Sequence, residues 1–398
     1  VNTQEIIDLD KQYVAGTYAR LPVAFVKGAG TKLWDADGKQ YTDFIGGIGV
    51  AGIGHAHPAV AKAVCEQAGS LIHTSNLYYT ENQAELAKKL IGISFPGTVF
   101  FANSGAEANE AAIKTARKRA KDKGNAGRDV ISASRSFHGR TLATLAATGQ
   151  AGKHEAFKPM PEGFVHVPFN DVDALASAVA AGACAVLLEP IQGEGGVHVA
   201  SVEYMKAARE LCDKADALLI MDEVQTGLAR TGTMFAYEHF GVLPDILTIA
   251  KPLGGGLPIG AAIFGAKANG VLGFGDHGST FGGSPLVCAA ALAALKVIED
   301  EKLADNAVTV GAYLNEKLVE IMDATGAVTE VRGLGLMVGA ALRKPEAQAV
   351  VDGCLKRGYV INKTDDTNLR FLPPLPVTTE EIDGLADVLA SVLEELNV

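Results

Sequence analysis

Two groups of opposite charge close two apolar runs, Asp222 at the end of ALLIMD and Lys251 at the end of DILTIAK. Both runs read as buried strands, and in an open α/β sheet ligands gather at the carboxyl ends of the strands. An amine and a carboxylate facing one crevice are the minimum equipment for Schiff-base chemistry on a pyridine ring. The lysine would engage a carbonyl and the aspartate would hold a protonated ring nitrogen, which is what pyridoxal phosphate requires of a protein. Pro252 disfavours the α region for the residue before it, so Lys251 is expected to be extended at its strand end. Gly254, Gly255 and Gly256 then let backbone pass close to a ligand. For each residue alone a plainer role exists, a surface lysine capping a strand and an aspartate in a structural ion pair.

Other segments offer matching parts. In FFANSGAEANEAAIK a strand runs into a helix, with Ser104 and Glu107 spaced as a capping box. The small pair Gly105–Ala106 leaves backbone N–H groups open at a positive helix terminus, which suits a phosphate; an ordinary N-cap is the alternative. ASRSFHGR places Phe137, His138 and Arg140 past another strand end. The aromatic ring could stack on a pyridine face, and the arginine could grip a substrate carboxylate. Gln225 could donate to the ring's phenolic oxygen. Gly47, Gly49 and Gly52 spell the dinucleotide fingerprint, but the strand and acidic residue it needs about twenty positions on are missing. His55 and His57 lack a third ligand with convincing spacing, so no metal is expected.

The elements that must position these groups follow from the pattern. Between about residues 98 and 266 the runs TVFFAN, DVISAS, FVHVPF, CAVLLEP, ALLIMDE, DILTIAK and AAIFGA alternate with helical stretches. That predicts an α/β domain with a mostly parallel sheet covered on both faces. We place this large domain at 46–288 and a smaller α+β domain at 289–398, with residues 1–45 packing on the latter. A helix is expected over 285–321, another near 346–357, and a last one from about 378. The chain has 35 basic and 46 acidic residues, a formal charge of -11, which argues against nucleic acid and anionic membrane as partners. Five scattered cysteines read as reduced thiols, and neither a signal peptide nor a membrane-spanning run is visible, so a cytoplasmic setting is expected.

Taken together, FANSGAEANEAAIK, SFHGRTLATL, EPIQGEGGV, DEVQTGLARTG, PDILTIAKPLGGGLPIGA, HGSTFGGSP and LRFLPPL resemble the class III, fold-type I aminotransferases that use pyridoxal phosphate. The resemblance covers nearly the whole chain, and HTSNLYY and VPFND make the acetylornithine branch the nearest. It implies that Lys251 forms the Schiff base and Asp222 holds the pyridinium. Ser104, Gly105 and Ala106 would cradle the phosphate, Phe137 would stack on the ring, and Val224 and Gln225 would line it. Thr280 would reach the phosphate bound to a neighbouring subunit, implying a homodimer with shared sites. Arg140 and Ser279 would hold the acetylornithine end of the substrate. Arg370 would bind the glutamate carboxylate, masked by Glu194 while the ω-amine donor is bound. The implied reaction moves the δ-amino group of N-acetylornithine to 2-oxoglutarate. Rival readings are transamination of 4-aminobutyrate, ornithine or succinyl-diaminopimelate, an aminomutase, and a non-catalytic cofactor binder. Ser284 stands where many relatives have asparagine, and Ile48 where ornithine enzymes carry tyrosine.

Overall fold

All seven apolar runs form strands, and one sheet contains them. In the computed structural model, which describes residues 1–125 and 127–397, they are β1 (Thr98–Ala102), β2 (Asp129–Ala133), β3 (Phe164–Val167), β4 (Ala183–Leu188), β5 (Leu218–Asp222), β6 (Ile246–Ile249) and β7 (Gly260–Phe264). Their order across the sheet is β1-β7-β6-β5-β4-β2-β3. Only β7 runs antiparallel to its neighbours, so the mostly parallel α/β sheet stands as expected.

Alternation along each strand divides its side chains between two apolar clusters. Leu218 and Ile220 join Ala112 and Ala116 of the helix Gly105–Asp122, whereas Leu219 and Met221 join Tyr204, Met205 and Ala208 of the helix Val202–Ala215. Both faces of β5 are therefore covered, which is why Leu218 to Met221 are all apolar instead of alternating. Each such side chain contributes about 1.5–3 kcal/mol by leaving water.

The C-terminal part is built around a four-stranded antiparallel sheet ordered Val328–Leu334, Met337–Leu342, Asn368–Phe371 and Asn362–Lys363. Leu369 and Phe371 point into the main core, so alternation turns the intervening Arg370 to the opposite face. The helix expected over 285–321 is in fact two, Pro285–Asp300 and Leu303–Thr325. Lys302 between them takes a left-handed conformation (φ 52°), a local break that apolar periodicity does not encode. Near the N-terminus, Phe25–Ala29, Lys32–Asp35 and Gln40–Asp43 form a second sheet, to which Tyr359–Val360 adds a parallel strand. A buried cation bridges the two parts of the chain. Arg230 donates from Nη1 to the carbonyls of Leu336 (3.0 Å) and Pro373 (2.5 Å), and burial pushes its pKa down to about 10. No helix among the described residues is long and apolar enough to cross a membrane.

Candidate active site

β5 and β6 lie side by side, with Asp222 opposite Thr248. β6 stops at Ile249, and Lys251 opens a tight turn, Lys251–Gly254, closed by the Leu253 N–H donating to the Ala250 carbonyl at 2.7 Å. The extended lysine expected from Pro252 is therefore not what forms. Pro252 and Leu253 are both buried, and that packing with the turn's hydrogen bond outweighs the proline's local preference.

One cavity of about 470 Å³ gathers most of the groups singled out in the sequence. Ser104, Gly105, Ala106, Phe137, Arg140, Glu194, Asp222, Val224, Gln225 and Lys251 all line it. Arg370 is not a lining residue, yet it binds two that are. Its Nη1 pairs with Glu194 Oε1 at 2.5 Å and reaches Gln225 Oε1 at 3.4 Å, while Nη2 donates to Asn362 Oδ1 at 3.0 Å. Gln225 Nε2 also donates to Glu194 Oε1 at 3.2 Å, so this glutamine belongs to the ion-pair network. Ser279 and Thr280 stand outside this cavity. Ser279 Oγ accepts from Asn103 Nδ2 (3.1 Å) and from the Gly282 N–H (3.0 Å), and Thr280 lies on an exposed rim with Tyr78 and Asn76.

Asp222 is almost fully buried and held by three donors. Asn109 Nδ2 reaches its Oδ2 at 2.7 Å and His138 Nδ1 the same oxygen at 2.8 Å, while the Val224 N–H meets Oδ1 at 3.1 Å. Asn109 is fixed in turn by Thr248 Oγ1, which donates to its Oδ1 at 2.7 Å. Among the described residues His138 Nε2 is buried without a hydrogen-bond partner, so Nδ1, on Asp222, is the ring nitrogen that is engaged. Asn109 was not singled out in the sequence, where it looks like one more polar position on an alanine-rich helix.

At the other end of the cavity, Ser104 caps the helix Gly105–Asp122 by accepting from the Glu107 N–H at 3.2 Å. The Glu107 carboxylate reaches back to the N–H of Asn103 (2.6 Å) instead of Ser104, so only half of the expected capping box forms. As first-turn residues, Gly105 and Ala106 have no intrahelical acceptor for their N–H groups. A Cβ on Gly105 would stand 2.7 Å from Val224 Cγ1, so the cradle tolerates no side chain there.

The Gly47–Gly52 stretch also proves to serve the lysine. Gly46, Gly47, Ile48 and Gly49 all have positive φ, and a Cβ on Gly49 would fall 3.9 Å from Lys251 Cδ. A Cβ on Gly52 would meet Pro252 at 2.9 Å. The spacing that imitates a dinucleotide fingerprint thus lets a left-handed turn lie against the Lys251 turn.

Electrostatics divides the charged groups. Burial holds the Lys251 ammonium below the usual lysine range, although Glu194 and Asp222 work against that. Burial would raise Glu194, but the charge and hydrogen bond of Arg370 outweigh it and hold the carboxyl below its ordinary value. Glu189, just past β4, accepts from the Phe137 N–H at 3.0 Å; burial, then the Asp222 charge, hold it well above the usual carboxylate range.

Comparison with known proteins agrees with this chemistry. Residues 13–393 match the family described as aminotransferase class III. The acetylornithine aminotransferase of Methanocaldococcus jannaschii is 52% identical over 391 residues, covering 98% of each chain. Among solved structures, the N-acetylornithine aminotransferase of Stenotrophomonas maltophilia superposes with a TM-score of 0.85 at 38% identity, covering 98% of this chain and 99% of that one. An ornithine aminotransferase of Toxoplasma gondii, described with partial occupancy of pyridoxal phosphate at its active site, gives 0.94 at 36% identity, covering 99% and 95%. The expected fold-type I architecture and pyridoxal phosphate dependence hold. The protein belongs to the class-III aminotransferases.

Proposed function

We propose that the protein is an acetylornithine aminotransferase, moving the δ-amino group of N-acetylornithine to 2-oxoglutarate to give N-acetylglutamate 5-semialdehyde and glutamate. The observation that carries the substrate reading is the Glu194–Arg370 pair beside a second cation, Arg140. With Arg370 masked, an ω-amine donor finds Arg140 for its carboxylate. When Glu194 swings away, Arg370 becomes free to take the α-carboxylate of glutamate, so one site serves two substrates in turn. Relatives bearing the acetylornithine name, over nearly the full chain, support the same substrate.

The residues present fit pyridoxal phosphate. A clamped carboxylate, a buried amine and an open helix N-terminus face one cavity, and these match a ring nitrogen, an aldehyde and a phosphate. When bound, the cofactor supplies the electron sink that acidifies the carbon bearing the substrate amine. In this reading Asp222 holds the ring nitrogen's proton, while Ser104, Gly105 and Ala106 orient the phosphate. Phe137 and Val224 shape the ring slot. Lys251 Nζ would hold the aldehyde end of the cofactor and, with substrate in the site, would carry the proton off the carbon bearing the substrate amine. Arg140 holds the amine-distal end of the donor, and Ser279, which lies outside this chain's own cavity, would join it together with Thr280 across the proposed dimer interface.

The same reading divides the chain into a cofactor-binding unit over 46–288 and a unit over 289–398, joined by residues 1–45, that supplies Arg370. It also makes the protein a cytoplasmic homodimer of arginine biosynthesis, with Thr280 reaching the partner's phosphate. Exposed Leu77, Tyr78, Tyr79, Phe274 and Phe281 support the dimer, since apolar side chains so placed mark a contact surface. Asn76 ties their two segments together through the carbonyls of Ser279 and Gly282. The test is single-turnover absorbance of holoenzyme mixed separately with N-acetylornithine, ornithine and 4-aminobutyrate. N-acetylornithine should discharge the cofactor's visible band fastest. Faster discharge by another amine would overturn the substrate while keeping the chemistry.

A further inference from the structure

Phe137 has two cations at its ring. Arg140 Cζ lies 5.5 Å from the ring centroid and Lys153 Nζ lies 5.7 Å from it. Among the described residues neither forms an ion pair with a carboxylate, and the hydrogen-bond partner of Lys153 is the neutral Gln150 Oε1. Gln150 is itself fixed, because its Nε2 donates to the Ser136 carbonyl at 3.0 Å, next to Phe137. Lys153 is therefore positioned, not swinging freely in solvent. Burial lowers its pKa, the Arg140 charge lowers it further, and only Glu194 works the other way. Two like charges held at one ring, without an anion of their own, lack the partner that would offset their repulsion. Arg140 lines the active-site cavity, and Lys153, not itself a lining residue, stands at the ring of Phe137, which is, so the missing anion would arrive with the substrate.

We propose that Lys153 is a second cation of the subsite for the substrate's amine-distal carboxylate, selecting carboxylate-bearing amines over neutral ones. This rests on the reading of Arg140 given above. Both half-reactions bring a carboxylate to that place, the α-carboxylate of N-acetylornithine in the first and the γ-carboxylate of glutamate in the second. Removing Lys153 should accordingly weaken both substrates alike, unlike removal of Arg370, which bears on one.

The experiment measures kcat and KM of holoenzyme carrying Lys153→Met, Lys153→Arg or Arg140→Met. The donors are N-acetylornithine, glutamate and the decarboxylated amine N-acetyl-1,4-diaminobutane. Lys153→Met should raise KM about tenfold for both carboxylate donors with little change in kcat, and move KM for the neutral amine less than about twofold. Lys153→Arg should restore most of the loss. If Lys153→Met leaves KM unchanged while Arg140→Met raises it, the inference about Lys153 falls and the Arg140 reading stands. If neither variant changes KM, both fall. Equal damage to the neutral amine would show that Lys153 only props the Phe137 ring, and would overturn the inference.

Discussion

At the Asp222 end of the cavity the contacts come from an amide, an imidazole and a backbone N–H, whereas at the Arg370 end a guanidinium meets a carboxylate. The Asn109 amide and the Val224 N–H carry no charge of their own, so they orient Asp222 without cancelling its charge and, on the function proposed above, leave it for a bound pyridinium. The Glu194–Arg370 pair does cancel, so on the function proposed above the arginine's charge would be withheld until the glutamate leaves. A buried charge in one enzyme can thus be fixed for permanent use or stored for intermittent use, and the type of partner decides which.

That contrast can be broken most severely at Lys251, which both ends share. Lys251→Ala should lower kcat by about 10⁴-fold or more, with an unchanged melting curve. A variant retaining substantial turnover would refute the assigned base. Next, Arg370→Met should slow the glutamate half-reaction about 100-fold and the acetylornithine half-reaction less than about tenfold, measured in separate single turnovers. Equal losses would mean that Arg370 is no switch.

A smaller effect belongs to the fixed end. Asn109→Leu should reduce both half-reactions equally, by about 10–100-fold, by analogy with loss of an orienting partner at a metal site. It should also lower thermal stability, because the His138 carbonyl loses the Asn109 donor and Thr248 Oγ1 loses its acceptor, at about 1–3 kcal/mol for a group left unsatisfied. An unequal loss would tie Asn109 to substrate choice. The smallest change is a shift in a pH profile. The Glu194 charge stabilises the Lys251 ammonium and the Arg370 charge opposes it. Glu194→Gln removes the first and unmasks the second, so both changes favour the neutral amine. The pH dependence of cofactor loading by apoenzyme should therefore move to lower pH; an upward move would contradict the electrostatics.

The central strands were legible because a strand buried on both faces must be apolar throughout, and Asp222 was conspicuous as a carboxylate in such a run. The turn at Lys251 was not, since it depends on how Pro252 and Leu253 pack, not on local preference. Nor was the Asn109 clamp. Its partner Asp222 lies 113 residues away, and nothing in the periodicity of a helix marks which polar position meets a strand end. Arg370 and Glu194, 176 residues apart, could be paired from sequence only through family resemblance. The break at Lys302 went unseen because apolar spacing continues on either side of it.

Arg230 sets a mechanical limit on how this enzyme can respond to its substrates. Its guanidinium grips two backbone carbonyls of the C-terminal part, and the Leu336 N–H returns a bond to the Arg230 carbonyl at 3.0 Å. A rigid-body hinge at this joint would drag a buried cation away from the two carbonyl oxygens that accept from it among the described residues. The joint is a rivet, and on the proposed function adaptation between a long donor and a short one would fall to the rotation of single side chains, Glu194 first among them.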